Sequence, residues 1–377
     1  MKITIITSPF GHIPPYGFGA VERRWFNVAE EMALEGHQVA FISKKKGDIT
    51  KEVTDRGIFI KYLSGYSWTG SQKKDIILDF IYSFRALCVL NKTDILILNT
   101  FWSPLLCFFF KNKYKKTMYN IARFPKGQFR FFKHIDRLSC VSTSVYNELI
   151  QQTPSVKNIA KVISNPVNTK IFTLTKQIES DKFRIVYTGR VHPEKGLLIL
   201  IEACNSLFEK YPNIELVIVG PRSISNGGGG DSYIEELNSR ATKFSIIWVD
   251  PISDANLLKN EIAKGSIFCY PSIAAKGETF GVSPLEAMAA GRATVVSNLA
   301  CFKDFVIDNE NGLIFNHFKE NPEKELYNKI ELLINNTEFR NKLAINGAKT
   351  ALNFSNKKIA DKYILDFSEL LEINPNA

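Results

Sequence analysis

The stretch GETFGVSPLEAMAAG at residues 277–291 carries two glutamates eight positions apart, Glu278 and Glu286, with Phe-Gly-Val-Ser-Pro between them. A carboxylate accepts two hydroxyl hydrogen bonds at once, which suits a vicinal diol on a sugar or a ribose. The run from Pro284 reads as a helix that begins at a proline and stops near Gly291, with Ser283 as its N-cap. The amides around Phe280, Gly281 and Val282 then face outward as anion donors. Two carboxylates flanking such amides would hold a sugar on one side, a ribose on the other and phosphate between them. A local reading competes for Glu286: in S-P-L-E it folds back on the Ser283 amide as a capping box. Glu278, in a loop between Gly277 and Thr279, has no comparable local use.

A second set lies in GRVHPEKG, residues 189–196. Arg190 at a strand end and Lys195 at the entry to the next helix offer a planar fork and a point charge, both matched to phosphate oxygens. Gly196 allows close approach there. The plain alternative is a solvated lysine at a turn and an arginine in a surface ion pair. A third set is HIPPYGFGAVERR, residues 12–24, where Gly17 and Gly19 let backbone approach a ligand. It resembles G-x-G-x-x-G with Glu22 in place of the third glycine, a weak match taken alone. His12 lies in this loop, His192 lies in the 189–196 loop, and His37 packs at a helix end.

These loops need elements to carry them. KITIITSP (2–9), VERRWFNVAEEMALEG (21–36) and QVAFIS (38–43) form a β-α-β pattern. FRIVYTG (183–189), LLILIEACNSLFEKY (197–211) and IELVIVG (214–220) repeat it. Strand-like runs at 94–99, 116–122 and 137–142 extend the first half; runs at 245–250, 266–272 and 293–298 extend the second. The spacing predicts an α/β chain of two Rossmann-like, doubly wound domains. In such sheets ligands bind beyond the carboxyl ends of the strands, so a cleft between the two domains is the expected site. A polar, turn-rich linker falls at 161–182, and 358–372 has helical apolar spacing. The tetraglycine at 227–230 reads as a mobile loop before the helix SYIEELNSR.

Composition narrows the class. A length of 377 residues with 45% hydrophobic and 23% charged residues fits a two-domain globular chain. The opening apolar stretch is too short for a signal peptide, and SPLLCFFF (103–110) is too short to span a bilayer. Six scattered cysteines without metal spacing fit reduced thiols. The net charge of +10 is densest between Cys107 and Arg137, where nine basic residues meet Asp136 alone among phenylalanines and tyrosines. Such a segment meets anionic headgroups or single-stranded nucleic acid, or is simply a solvated loop. There is no D-x-D pair, H-E-x-x-H, G-x-S-x-G or Walker lysine motif, so no metal is expected.

The order of these motifs resembles glycosyltransferase family 4, the retaining nucleotide-sugar transferases of GT-B fold. The resemblance runs from GFGAVERR and EGHQV through NPVNTKIF and GRVHPEKG to GETFGVSPLEAMAAG, NGLIF and a last helix of the kind that crosses back to the first domain. It implies an N-terminal acceptor-binding domain at 1–168, a nucleotide-sugar-binding domain at 169–355 and a C-terminal helix at 356–377. Arg190 and Lys195 would bind the donor diphosphate. Glu278 would hold the transferred sugar, Glu286 the ribose, and the amides of Phe280, Gly281 and Val282 the phosphate and sugar. Gly19 would close on the diphosphate, with Gly17 also on the donor side, and the backbone at Pro251 and Ile252 would meet the base. His12, Asn120 and Arg123 fall on the acceptor or sugar side. Two departures stand out: Asn120 occupies a position where the family often has histidine, and Asp250 replaces the usual glycine.

The expectation is therefore transfer of a sugar from a nucleotide diphosphate sugar, as co-substrate with no separate cofactor, to a glycan or lipid-linked acceptor in bacterial surface polysaccharide synthesis. The chain would be cytoplasmic, peripheral on an anionic membrane face, and without a nucleic-acid partner. Three alternatives stay open: a nucleotide-sugar epimerase of the same fold, a nicotinamide-dependent reductase with Lys44, Lys45 and Lys46 on a 2′-phosphate, and a nucleic-acid-binding module that rests on charge alone.

Overall fold

The computed structural model describes residues 1–15, 19–175 and 181–372. The chain divides into two compact units, 1–166 with 356–377, and 167–355.

In the first unit, β1 (Lys2–Ile6), α1 (Ala20–Leu34) and β2 (Gln38–Lys44) open the fold, followed by β3 (Lys51–Val53) and β4 (Phe59–Leu63). Then come α2 (Gln72–Cys88), β5 (Thr93–Leu98), α3 (Ser103–Leu106), β6 (Tyr114–Ile121), β7 (Arg137–Cys140), α4 (Thr143–Gln152) and β8 (Ala160–Val162). The strands pair in the order β3-β4-β2-β1-β5-β6-β7-β8, parallel except for the β3–β4 pair. Central strands read as continuous apolar runs because helices cover both faces: Ile95 to Leu98 are fully buried. The sequence reading did not include β3, β4 or α2.

The second unit contains β9 (Phe183–Thr188), α5 (Leu197–Lys210), β10 (Ile214–Val219), α6 (Asp231–Arg240), β11 (Ile247–Val249) and α7 (Ala255–Ala263). It continues with β12 (Ile267–Tyr270), α8 (Val282–Ala289), β13 (Ala293–Ser297), β14 (Leu313–Phe315), α9 (Pro322–Asn335) and α10 (Thr337–Ala351). Its parallel sheet has the order β11-β10-β9-β12-β13-β14. The chain winds outward from β9 to β11, then returns to the middle at β12 and winds the other way. The switch point therefore lies between β9 and β12, whose registers match Ile185 with Ile267 and Val186 with Phe268.

The last helix, α11 (Asn356–Glu372), belongs to the first unit. Its residues Ile359, Tyr363, Phe367 and Leu370 share one core with Trp25, Val28 and Met32 of α1. Each such side chain contributes about 1.5–3 kcal/mol on burial. The Tyr363 and Trp25 rings meet at 5.1 Å.

Candidate active site at the switch point of the second sheet

Crevices at a switch point lie beyond the carboxyl ends of the two strands where winding reverses. Here those ends feed residues 189–196 after β9 and residues 271–281 after β12, the two segments that carry Arg190, Lys195 and Glu278. The topology thus brings together residues 83 positions apart. The Lys195 ammonium donates to Glu278 Oε2 at 2.7 Å, with both side chains nearly enclosed.

Local backbone sets this contact. After β9 a 3-10 turn at Pro193–Lys195, rather than the helix itself, presents the lysine. Gly196 follows with φ +67, and a Cβ there would stand 2.2 Å from the Pro271 carbonyl oxygen. The two loops are joined by the Ile273 amide, which donates to the Glu194 carbonyl at 3.0 Å. After β12 the amides of Gly277 and Glu278 both donate to the Ala274 carbonyl, a turn that sends Glu278 back toward the strand ends.

Aromatic rings form the floor. Tyr187 near the end of β9 and Tyr270 at the end of β12 stack at 5.4 Å. The Tyr270 hydroxyl donates to the same Glu278 Oε2 at 3.1 Å, and the Tyr187 hydroxyl donates to the Arg190 carbonyl at 2.8 Å. Burial first, and the neighbouring Glu278 charge second, push both phenols well above their ordinary value. They remain protonated donors at neutral pH.

Arg190 is half-exposed and forked. It donates to Glu194 Oε1 at 2.5 Å and to the Gly227 carbonyl at 2.9 Å. Glu194 Oε1 also lies 3.9 Å from the Lys195 ammonium, so Arg190, Glu194, Lys195 and Glu278 form a chain of alternating charge. Sequence reasoning missed Glu194, Tyr187 and Tyr270. The signals were present: Glu194 stands four residues after Arg190, and each tyrosine is a polar-tipped aromatic near the end of an apolar strand. The tetraglycine is also tied down: the Gly229 amide donates to the Val191 carbonyl at 2.7 Å and the Gly230 amide to the Arg222 carbonyl at 2.9 Å. A Cβ at Gly228 would stand 2.2 Å from the Arg222 carbonyl oxygen. These glycines serve close packing beside Arg190.

The helix after Glu278 starts earlier than its sequence predicts. Gly281, at φ +94, is the N-cap of α8, and Val282 is its first residue. Ser283 and Pro284 are therefore the second and third helical residues, not N-cap and first. The capping-box reading of Glu286 fails with them, since Glu286 now stands fifth, half-buried, one turn along the helix. Proline is tolerated because the first-turn amides lack intrahelical acceptors anyway. Phe280 turns its ring into the core against Phe305 and Phe354, leaving its backbone at the helix entrance. Pro251 and Ile252 follow β11 after Asp250 and are half-buried, while Asp250 pairs with Arg222.

The first-unit residues form their own groupings. The His12 ring Nδ1 lies 2.7 Å from the Lys44 carbonyl at the end of β2. Gly19 is the N-cap of α1 with the Glu22 carboxylate against it; Gly17 lies outside the described residues. Asn120 is buried and accepts from Arg24 at 2.6 Å, in a cluster that Arg24 extends to Tyr363. Arg123 is exposed and acts electrostatically on Glu22. Among the described residues no group of three or more His, Cys, Asp or Glu is arranged to hold a metal ion.

The comparisons with known proteins agree with this architecture. Residues 172–350 match the family model of glycosyl transferases group 1. An uncharacterized glycosyltransferase of Methanocaldococcus jannaschii is 30% identical over 241 residues, which is 62% of this chain and 60% of that protein. The sucrose-phosphate synthase of Thermosynechococcus elongatus superposes with a TM-score of 0.79 at 17% identity, covering 99% of each chain. The Anabaena protein HepE, in complex with UDP and glucose, superposes with a TM-score of 0.70 at 18% identity, covering 98% of this chain and 99% of that one. The fold shared with these structures is GT-B.

Proposed function

With residues 172–350 matching the family model of glycosyl transferases group 1, we propose that the chain is a retaining glycosyltransferase that uses a nucleotide diphosphate sugar. The observation that carries this reading is the Lys195–Glu278 contact at the switch point of the second sheet, with Glu278 four residues before the first residue of α8. The HepE complex with UDP and glucose supports the choice of donor class.

In this mechanism the bond between the anomeric carbon and the β-phosphate oxygen breaks while the acceptor hydroxyl attacks from the same face. The acceptor proton passes to the departing phosphate oxygen. Negative charge grows on that phosphate, and Lys195, Arg190 and the amides of Phe280, Gly281 and Val282 are fixed donors for it. Lys195 is held by Glu278 before substrate arrives, so little reorganisation accompanies charge development. Glu278 Oε2 already accepts from Lys195 and Tyr270, which leaves its other oxygen for sugar hydroxyls. Glu286 would take the ribose hydroxyls, and the backbone at Pro251 and Ile252 the base. These fixed cations and amides do the work that a metal ion does in other diphosphate sites. The acceptor is a lipid-linked or glycan hydroxyl bound by the first unit, in surface polysaccharide synthesis.

A panel of nucleotide sugars screened by thermal stabilisation tests the donor class. A ligand at about 100 times its dissociation constant adds about 2.7 kcal/mol to the folded state. No stabilisation by any nucleotide sugar would reject the reading. NMR of the stabilising donor without acceptor should show an unchanged sugar; an epimerised one would assign the epimerase chemistry instead.

A further inference from the structure

Helix α2 covers the first sheet with one face and exposes an apolar stripe on the other. Ile77, Phe80, Ile81 and Phe84 are all exposed, at the i, i+3, i+4, i+7 spacing of a single helical face. Segment 101–110 continues this surface. Phe80 meets Trp102 edge-on at 5.5 Å, Phe84 meets Phe110 at 6.1 Å, and Phe108 and Phe109 project beyond, the latter 77% exposed. Solvent-facing aromatics in this number need an occupant.

The rim identifies it. Lys111 lies over the Phe108 ring at 4.1 Å and Lys113 over Phe110 at 5.4 Å, while Lys73 and Lys74 stand exposed at the start of α2. The acids of α2, Asp75 and Asp79, face inward and are buried, and residues 101–135 contain no acid. The wider charge distribution agrees. The first unit holds 27 basic and 16 acidic residues, a net +11, whereas the second holds 21 and 22, a net −1. The basic excess of the whole chain is therefore confined to the unit that bears the stripe. A symmetric contact with a second copy would set the same lysines against one another. An anionic bilayer takes both features at once: rings enter the acyl boundary and ammonium groups meet headgroups.

We propose that the outer face of α2, with Phe108 and Phe109, is a monotopic docking surface for a membrane carrying anionic phospholipid. Its link to a lipid-linked acceptor rests on the function proposed above, but docking itself needs neither donor nor acceptor.

The test is co-sedimentation of the full chain with vesicles of equimolar phosphatidylglycerol and phosphatidylcholine, against vesicles of phosphatidylcholine alone. Binding is expected to the anionic vesicles only and to fall as salt rises. Ile81→Glu with Phe109→Glu should abolish it, and Lys111→Glu with Lys113→Glu should weaken it about tenfold or more. Phe318→Glu, at an equally exposed phenylalanine of the second unit, should leave it unchanged. Nucleotide-sugar stabilisation of each variant shows that it is folded and keeps the failure of docking separate from the failure of the transferase reading. Absent binding, or equal binding to neutral vesicles, would overturn the proposal. So would loss of self-association in the Ile81→Glu, Phe109→Glu variant without any vesicle binding, which would assign the stripe to a second copy.

Discussion

Lys195 and Glu278 share a hydrogen bond of 2.7 Å although one follows β9 and the other follows β12. The lysine side chain is 6% exposed and the glutamate 11%, so neither charge is well solvated without the other. A buried cation held by a buried anion is fixed in place, and the function proposed above puts this one within reach of the donor's phosphate.

Replacing Lys195 by alanine should lower turnover by about 10²–10³, equivalent to about 2.7–4 kcal/mol in the barrier, the range for losing one donor to a developing anion. Steady-state kinetics with the donor found by the stabilisation screen measures it. Unchanged turnover would remove Lys195 from the diphosphate.

The same pair makes a stability prediction. Lys195→Met or Glu278→Gln alone strands one enclosed charge or its hydrogen-bond partners, whereas the double substitution removes both. Urea denaturation should show the double variant to be more stable than the sum of the single losses implies. Simple additivity would mean that the contact contributes no coupling.

Gly196 should not tolerate alanine. Its φ of +67 costs an L-residue about 1–2 kcal/mol, and its Cβ would stand 2.2 Å from the Pro271 carbonyl oxygen, which must move. Because that oxygen belongs to the segment leading to Glu278, donor affinity should fall together with stability. Gly36→Ala is the matched control, with φ +82 and no atom within 4 Å of the added carbon. A loss at Gly196 no larger than that at Gly36 would show that the loops are free to separate.

How much of this the sequence discloses depends on the range of the interaction. The central strands of both halves stand out because buried parallel strands are continuous apolar runs, and the Arg190, Lys195 and Glu278 segments stand out because each follows one; the edge strands β3 and β4 do not. Strand order is not written locally, so the adjacency of β9 and β12 appears only in the fold. Ser283 has the pattern of an N-cap, yet Gly281 has that place because its positive φ turns the chain two residues sooner. Helix α2 escaped the sequence reading because it is apolar on two faces, with Tyr82, Ala86 and Leu87 inward and Ile77, Phe80, Ile81 and Phe84 outward. Its amphipathic period is blurred by the very stripe that gives it a further use.

Glu22 gives a pH signature. From the first turn of α1 its carboxylate lies against Gly11 and Gly19 of the preceding loop, and burial raises it above its ordinary 4.5, with its own backbone amide and Arg123 opposing. A carboxyl group that holds its proton more tightly when folded makes stability fall as pH rises from the unfolded value through the folded one. Glu22→Gln should therefore be more stable than the parent at neutral pH and equal to it at acid pH, below both values. Denaturation midpoints across that range read the difference directly. A variant less stable at neutral pH would show that the charged form is the favoured one.

The anchoring of α11 to the first unit depends on Asp366. Its carboxylate is fully buried and accepts from Arg137 Nε at 3.0 Å and from the Lys161 ammonium at 2.9 Å. Arg137 is itself buried, so Asp366→Ala leaves a guanidinium without its counter-charge, at a cost of about 3–5 kcal/mol. The exposed pair between Lys357 and Glu35 joins α11 to the end of α1 at 2.7 Å, but both groups are solvated. Lys357→Ala should leave the unfolding midpoint unchanged. Urea denaturation compares the two, and limited proteolysis of the Asp366→Ala chain should release the C-terminal segment before any other fragment. Equal midpoints for both variants would mean that the apolar contacts of Tyr363 and Phe367 hold the helix without help from the buried charge.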